Sequence, residues 1–298
     1  MKVLLLGSAG QVGRACREVL AKAGFQLAAL NRRELDVSDR QAVDVTLEAS
    51  TADVAINAAA FTAVDLAEAE TDRAWSANRD GPGYLAAACA RRRIPLIHLS
   101  TDYVFDGEKT GAYCEEDPPR PLSVYGKSKW EGEQAIRQRL EEHLIFRTSW
   151  VFAAHGRNFV NTMLRLGAEK PAIRVVADQK GCPTYAPDLA EALLTVLNCL
   201  ASTGALPWGT YHYCGWPPTS WHDFAKCIVQ EAWARGRLSR RPEIVPVTSA
   251  EYGAAAQRPR HSVLDCTKGM ELLSLGPRPW PAGLVEILSH PADAGPTP

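Results

Sequence analysis

The chain has 298 residues, 46% of them hydrophobic and 22% charged, and 33 Lys+Arg against 34 Asp+Glu leave a formal net charge of -1. That length holds one large or two smaller domains with a real core, and near-neutrality removes any global pull toward nucleic acid or an anionic membrane. No apolar run approaches the roughly 18 residues of a membrane span, and none of the eight cysteines forms a C-x-x-C pair of the zinc-ribbon or thioredoxin type. Scattered thiols in a chain this long read as buried small hydrophobes in a reducing compartment, so the expected location is the cytoplasm.

The chain opens on "KVLLL", too short an apolar run for a secretory leader and entering a glycine loop instead of a cleavage site. A continuous apolar run of this kind predicts a strand buried on both faces. A helix follows over about 11–23, then the strand "FQLAAL". Ser38 and Gln41 have the S-x-x-Q spacing of a capping box opening the next helix. "ADVAIN" (52–57), "IPLIHLS" (94–100) and "HLIFRTSW" (143–150) are further strands. Helical patterns fill 65–75, 78–92 and 123–139. This alternation predicts a Rossmann-type, doubly wound parallel sheet over residues 1–150. Beyond 151 the rhythm loosens. Helix patterns at 158–170, 187–200 and 220–235, with short strands "IRVV", "GTYHYC" and "EIVPV", predict a smaller, mainly C-terminal α/β substrate-binding domain over 151–298. Its boundary is interleaved with the main sheet, and the proline-rich tail 290–298 is expected to be disordered.

The chemistry-bearing segments fall at strand ends. "GSAGQVG" puts Gly7, Gly10 and Gly13 directly after the first strand, with Gln11 and Val12 at the start of a helix. Glycine allows a tight turn and close backbone approach to a pyrophosphate, and the helix N-terminus offers free N–H groups. A carboxylate at the end of the second strand would select NAD. Here Asn31, Arg32 and Arg33 stand there, which favours the 2′-phosphate of NADPH over the alternative that both arginines are merely solvated. Asp36 follows and is placed to reach the adenine side. Ala58, Ala59 and Ala60 after the third strand either admit a cofactor against the backbone or simply pack helices. Ser100 and Thr101 end a strand at the ligand-binding edge. Tyr125 and Lys129, four apart, share one helix face. A lone Y-x-x-x-K is more often structural than catalytic. The order of glycine loop, small-residue strand end, Ser-Thr strand end and Tyr/Lys helix favours an acid–base pair for carbonyl reduction. Tyr125 is the proton donor, made more acidic by Lys129, and Thr101 bonds the same oxygen.

These residues resemble the extended short-chain dehydrogenase/reductases, and within them the dTDP-4-dehydrorhamnose reductase family. The matching stretches include "GSAGQVGRA", "INAAAFTAVDLAEAE", "LSTDYVFDG", "PLSVYGKSKWEGE", "IFRTSWVF" and "DQKGCPT", and they run from residue 7 to 265. The resemblance implies NAD(P)H-dependent reduction of the C4 keto group of dTDP-4-dehydro-6-deoxy-L-mannose, with NADPH expected and NADH as the other option. It implies a cofactor lined by Gly10, Gln11, Val12, Asn31, Asp36, Val37, Ala60, Phe61 and Thr62. It also implies catalysis by Thr101, Tyr125 and Lys129, with the sugar contacted by Thr101, Asp102 and Trp150. Gln179 and Arg258 would lie nearer the nucleotide diphosphate, and Trp150 has a bland alternative as a core aromatic. Cys182 stands where the pattern commonly has Ala or Ser, a change expected to affect packing only. Some relatives hold Mg2+ at a dimer contact through C-terminal glutamates. Those glutamates have no identifiable counterparts here, so no metal ligand is assigned, and Mg2+ and a homodimer stay open. The alternatives are another nucleotide-sugar reductase, epimerase or dehydratase, and a non-catalytic relative such as the regulatory subunit of methionine adenosyltransferase.

Overall fold

The computed structural model describes residues 1–289; the predicted disordered tail, 290–298, lies outside them. The uninterrupted apolar runs form strands β1 (Lys2–Leu6), β2 (Gln26–Leu30), β3 (Val54–Asn57), β4 (Leu96–Thr101) and β5 (His143–Thr148). With β10 (Gly209–His212) they make one sheet in the order β10-β5-β4-β3-β1-β2. Every neighbouring pair in it is parallel. Parallel strands need crossovers on both faces, so successive side chains all go inside. Val3 and Leu5 of β1 pack against Cys16 and Leu20 of the helix Gln11–Lys22 and Leu189 and Leu193 of the helix Ala186–Thr203. Leu4 and Leu6 face the other way, onto Val43 and Leu47 of Arg40–Ala49 and Leu85 and Cys89 of Gly81–Arg92. Each such buried side chain contributes about 1.5–3 kcal/mol.

The chain runs from β1 outward to β2 and then returns to the other side of β1 for β3. The loops leaving the carboxyl ends of β1 and β3 therefore diverge, and a crevice opens between them. Gly7, at the end of β1, sits at the tightest point, with φ +75; a Cβ there would lie 2.5 Å from the Ala59 nitrogen. Only glycine can make this turn and let the two loops touch.

The second half adds short strand pairs beside the sheet: β6 (Val151–Phe152) with β9 (Thr184–Tyr185), β7 (Ala172–Val176) with β12 (Glu243–Val247), and β8 (Lys180–Gly181) with β11 (Thr219–Ser220). Its own apolar cluster holds Phe152, Val160, Ile173, Phe224, Trp280 and Leu284. The predicted strand "GTYHYC" supplies β10, the sheet's outer strand beside β5, and the helix before it packs on the sheet.

Local differences from the predicted elements have clear causes. The helix expected to start at Ser38 is capped instead by Asp39, whose carboxylate accepts from Ala42 N, because the Ser38 hydroxyl is spent on Asp36 Oδ1 at 2.6 Å. The helix expected over 65–75 is two, Val64–Ala69 and Thr71–Trp75, and the one expected from 78 begins with a π-turn, Ser76–Asp80.

Gly7→Ala and Gly24→Ala separate collision from backbone strain. Gly24 also has positive φ, +84, but a Cβ there meets nothing. Gly24→Ala should cost about 1 kcal/mol and Gly7→Ala clearly more, read as a larger fall in urea midpoint at unchanged slope.

Candidate active site

The crevice between the β1 and β3 loops continues into a cleft of ≈ 1770 Å³ that reaches the second half of the chain. Gly10, Gln11 and Val12 border it at one end. Gly10 N–H bonds back to Gly7 O at 3.0 Å, and Gly10 O starts the following helix by accepting from Arg14 N–H. The helix N-terminus therefore points into the cleft. Ala60 and Thr62 border it from the β3 side. Their segment is fixed by Asn78 in the π-turn, whose Oδ1 accepts from Phe61 N at 2.8 Å and whose Nδ2 donates to Phe61 O and to Ser128 Oγ. A π-turn at a functional site is a recurring pairing; here it turns Asn78 toward both the β3 loop and the helix that carries Tyr125.

That helix, Val124–Arg137, is capped by Ser123, whose side chain accepts from Gly126 N. Its first turn lies on the β4 loop: a Cβ on Gly126 would run into the Tyr103 carbonyl. Its last turns are bound to the sheet by Glu133, which is fully buried. Arg147 on β5 donates Nε at 3.0 Å and Nη2 at 2.8 Å to the two carboxylate oxygens. Ser100 on β4 donates at 2.5 Å and Arg137 at 2.9 Å. Burial alone would raise the Glu133 carboxyl, but Arg147 and Arg137 hold it below its ordinary value. Arg147 also lies over the rings of Phe105 and Trp130. Neither Glu133 nor Arg147 was singled out from the sequence. A charged residue inside the apolar run "HLIFRTSW" was the available signal, since a strand buried on both faces tolerates a charge only with a partner.

Thr101, Tyr125 and Lys129, predicted to act together, border the same cleft. Tyr125 is half-buried and its ring meets Tyr103 edge-on at 5.9 Å. Its phenol is pushed up to about 12 by burial, with Thr101 opposing and Asp102 adding to the rise. The expectation that Lys129 makes this phenol more acidic does not hold in this structure. The Lys129 amino group is engaged elsewhere, with Nζ donating to Leu99 O at 2.6 Å and lying 3.2 Å from His98 Nε2. Burial brings Lys129 down to about 8. Asp102 is 2% exposed. Its Oδ1 accepts from Thr101 Oγ1 at 3.1 Å while Oδ2 has no hydrogen-bond partner. Burial pushes the carboxyl up to about 7 against the Ser262 and Thr101 hydroxyls. Thr148 Oγ1 is a second buried atom without a partner, and both residues border the cleft. Two orphaned polar atoms at one cavity wall fit a hydroxyl-rich ligand.

Trp150 borders the cleft with φ +46, its ring stacked on Trp221 at 3.5 Å and 8°. Gln179 borders it too and donates to Ser249 Oγ. Arg258 reaches the cleft but gives its fork to Asp65, at 3.0 and 2.7 Å, tying the C-terminal half to the segment after β3. Seven predicted cofactor positions, Asp36 among them, do not border the cleft itself. Gly7 and Gly13 are the packed underside of the loop. Val37 is buried in the apolar cluster of Leu4, Leu6 and Leu85. Asn31 and Arg32 lie at the end of β2, where Asn31 Oδ1 caps Arg33 N and Arg32 pairs with Asp36. Phe61 contributes its backbone to Asn78, as above, and its ring to Arg73. Cys182 is packed with Phe105, Tyr113, Cys214 and Cys266. Among the described residues, no group of three or more His, Cys, Asp or Glu is placed to hold a metal ion, and no helix is long and apolar enough to cross a membrane.

A parallel sheet whose switch point opens between a glycine loop and a Thr–Tyr–Lys group is the arrangement of an extended short-chain dehydrogenase/reductase. The chain matches the family described as RmlD substrate binding domain over residues 1–292. It is 41% identical over 290 residues to a dTDP-4-dehydrorhamnose reductase of Aggregatibacter actinomycetemcomitans, covering 97% of this chain and 99% of that one. Among solved structures it is similar to a dTDP-4-dehydrorhamnose reductase from Clostridium acetobutylicum, with a TM-score of 0.89, 35% identity and 97% and 98% of the two chains covered. A second similar structure is the Bacillus anthracis dTDP-4-dehydrorhamnose reductase in complex with NADP, with a TM-score of 0.86, 35% identity and 96% and 98% covered. The chain belongs to the dTDP-4-dehydrorhamnose reductase family.

Two stability measurements test the site's electrostatics. Arg147→Met should cost about 3 kcal/mol in urea unfolding because it leaves the buried Glu133 charge to Arg137 and Ser100 alone, whereas the double change with Glu133→Leu should recover much of that loss. For Asp102 the folded carboxyl is raised above its unfolded value. Its contribution is therefore fully present below about pH 4 and is lost as pH rises through about 7. The loss amounts to something on the order of 4 kcal/mol. Asp102→Asn should flatten that part of the stability-versus-pH curve.

Proposed function

We propose that this chain reduces the C4 keto group of dTDP-4-dehydro-6-deoxy-L-mannose to dTDP-L-rhamnose, using NADPH. The observation that carries this reading is the convergence of Thr101, Tyr125 and Lys129 on one cleft that begins at the glycine loop. The names of the curated relatives support the substrate, and the Bacillus anthracis relative in complex with NADP supports the cofactor. The residues present fit a dinucleotide. The backbone at Gly10 is bare toward the cleft, and the helix N-terminus behind it suits a pyrophosphate. Arg33 is exposed at the end of β2, within two residues of Asn31, where a 2′-phosphate would need a cation.

When bound, the reduced nicotinamide supplies the hydride. The chain's own residues then manage the proton and the developing charge. Tyr125 gives its phenolic proton to the carbonyl oxygen, and the Thr101 hydroxyl stabilises the charge on that oxygen. Asp102, with a carboxyl titrating near neutrality, holds a proton for donation to a sugar hydroxyl, and Oδ2 is the free atom that meets it. Trp150, steadied by Trp221 behind it, offers a flat apolar surface to the deoxysugar. Gln179 and Arg258 face the nucleotide end. The short strand pairs after Trp150 and the apolar cluster around Phe152, Ile173, Phe224 and Trp280 form the substrate-binding lobe, whereas β10 and the helix Ala186–Thr203 belong to the other lobe with the sheet and its cofactor loop.

The test follows nicotinamide absorbance with purified protein and enzymatically generated dTDP-4-dehydro-L-rhamnose. Substrate-dependent oxidation of NADPH, faster than that of NADH, with dTDP-L-rhamnose as product is expected. Tyr125→Phe should lower kcat by about 10²–10⁴ while leaving NADPH binding by fluorescence unchanged. A Tyr125→Phe enzyme at near full activity would remove Tyr125 as the acid, and no oxidation by folded wild type would remove the reading itself.

A further inference from the structure

Lys129 has a neighbour that the mechanism above does not use. Asn57, His98 and Lys129 form a buried row across β3, β4 and the Val124–Arg137 helix, with exposures of 0%, 0% and 1%. Asn57 and His98 are directly paired in the strand register. The polarity of this row can be read from one end. Asn57 Oδ1 accepts from Ala59 N–H at 3.0 Å. That fixes the amide, so Nδ2 is the group facing His98 Nδ1 at 3.0 Å. An amide NH2 only donates, so His98 Nδ1 is an acceptor. A neutral imidazole with an accepting Nδ1 carries its proton on Nε2. That N–H points at Lys129 Nζ, 3.2 Å away. An ammonium has three donors and no lone pair, whereas an amine has one lone pair to accept with. The Leu99 carbonyl at 2.6 Å takes one of the amine's remaining hydrogens.

We propose that His98, set as its Nε2–H tautomer by Asn57, is a positioning residue that holds Lys129 as a neutral amine in the cofactor-free protein. This rests on the reading of Lys129 as part of the acid–base group. The charged surroundings agree. Glu133, one turn along the same helix, favours the ammonium, but its charge is taken up by Arg147 and Arg137. His143 on β5 acts on His98 and, like His98, is held below its ordinary value by burial. Carbonyl reduction consumes one proton per turnover. The Tyr125 O–H bond breaks as the product O–H bond forms, and the phenolate must be reprotonated from solvent. A lysine that can exist as an amine can accept such a proton and release it; one locked as an ammonium can only hold it.

The experiment is a long-range ¹H–¹⁵N spectrum of the full chain labelled at histidine, with His98 assigned by its loss in His98→Gln. The expected result is a protonated Nε2 and an unprotonated Nδ1. Asn57→Asp keeps an oxygen for Ala59 N–H but replaces the donor at His98 with an acceptor. It should move the proton to Nδ1 and raise the Lys129 titration midpoint, followed through ¹³Cε of labelled lysine, by about one pH unit or more. A wild-type spectrum with the proton on Nδ1 overturns the proposal, as does an Asn57→Asp protein whose His98 tautomer is unchanged. If Asn57→Asp fails to fold, the wild-type spectrum still decides. Neither spectrum depends on turnover, so a failed reductase assay and a failed tautomer assignment are separate results.

Discussion

The buried carboxylate of Glu133 is the interaction on which the geometry of the site depends. It sits at the far end of the helix whose first turn carries Tyr125, and it binds two strands at once, Ser100 on β4 and Arg147 on β5. Arg137, from its own helix, joins the cluster and also reaches Thr210 on β10. Three strands and the helix are therefore indexed to one charge. Such a cluster is poor evidence for stability, since two ions taken out of water regain at best what burial costs. What it supplies is direction. Apolar contacts let a helix slide by fractions of a turn with little penalty, whereas a bidentate guanidinium–carboxylate pair fixes distance and plane together. A helix fixed at that end brings Tyr125 and Lys129 to the cleft at one height above β4.

The opposite wall of the cleft is held by different means. Gly7 lets the β1 and β3 loops touch, and Asn78 anchors the backbone of Phe61 while also bonding Ser128 on the catalytic helix. The third link is Arg258 on Asp65, from the C-terminal half to the segment after β3. This last one is partly solvated, with Asp65 about half exposed, so it is weaker than the Glu133 cluster and open to competition by an anionic ligand. The cleft is thus rigid along the sheet edge and adjustable where the second half closes over it.

Much of this was legible in the sequence because its cause is local. Strands buried on both faces announce themselves as unbroken apolar runs, and the glycine loop and the Tyr/Lys spacing need only neighbours in the chain. Ser123 and Asn158 read correctly as helix starts because a cap acts three residues away. Other features were not legible because their partners are distant. Glu133 and Arg147 are 14 apart, Asn57 and His98 are 41 apart, and Asn78 meets Phe61 across 17 residues. In each pair both members look ordinary alone. Ser38 shows the local limit: its capping-box spacing was sound, but Asp36, two residues back, offered its hydroxyl a better acceptor. The acidity of Tyr125 was misjudged for a related reason. The Lys129 spacing put the two on one face, but the direction of the lysine Nζ was decided by Leu99 and His98, thirty or so residues earlier.

Burial acts on the whole site in one direction. It raises Tyr125 and Asp102 and lowers Lys129 and His98, so each group is pushed toward its uncharged form. Behind these groups Glu133 is held by two arginines, and the Arg258–Asp65 ion pair stands farther along the cleft. A patch of neutral donors and acceptors around Thr101 and Tyr125 is well suited to a reaction that creates negative charge on one oxygen. No resident charge has to be displaced, and the low polarity around it makes each hydrogen bond to that oxygen worth more than in water. The same environment makes an unneutralised alkoxide costly, so the proton from Tyr125 has to move in step with the hydride. The raised phenol is consistent with this. A tyrosine kept neutral by burial arrives with its proton and releases it only when negative charge appears beside it.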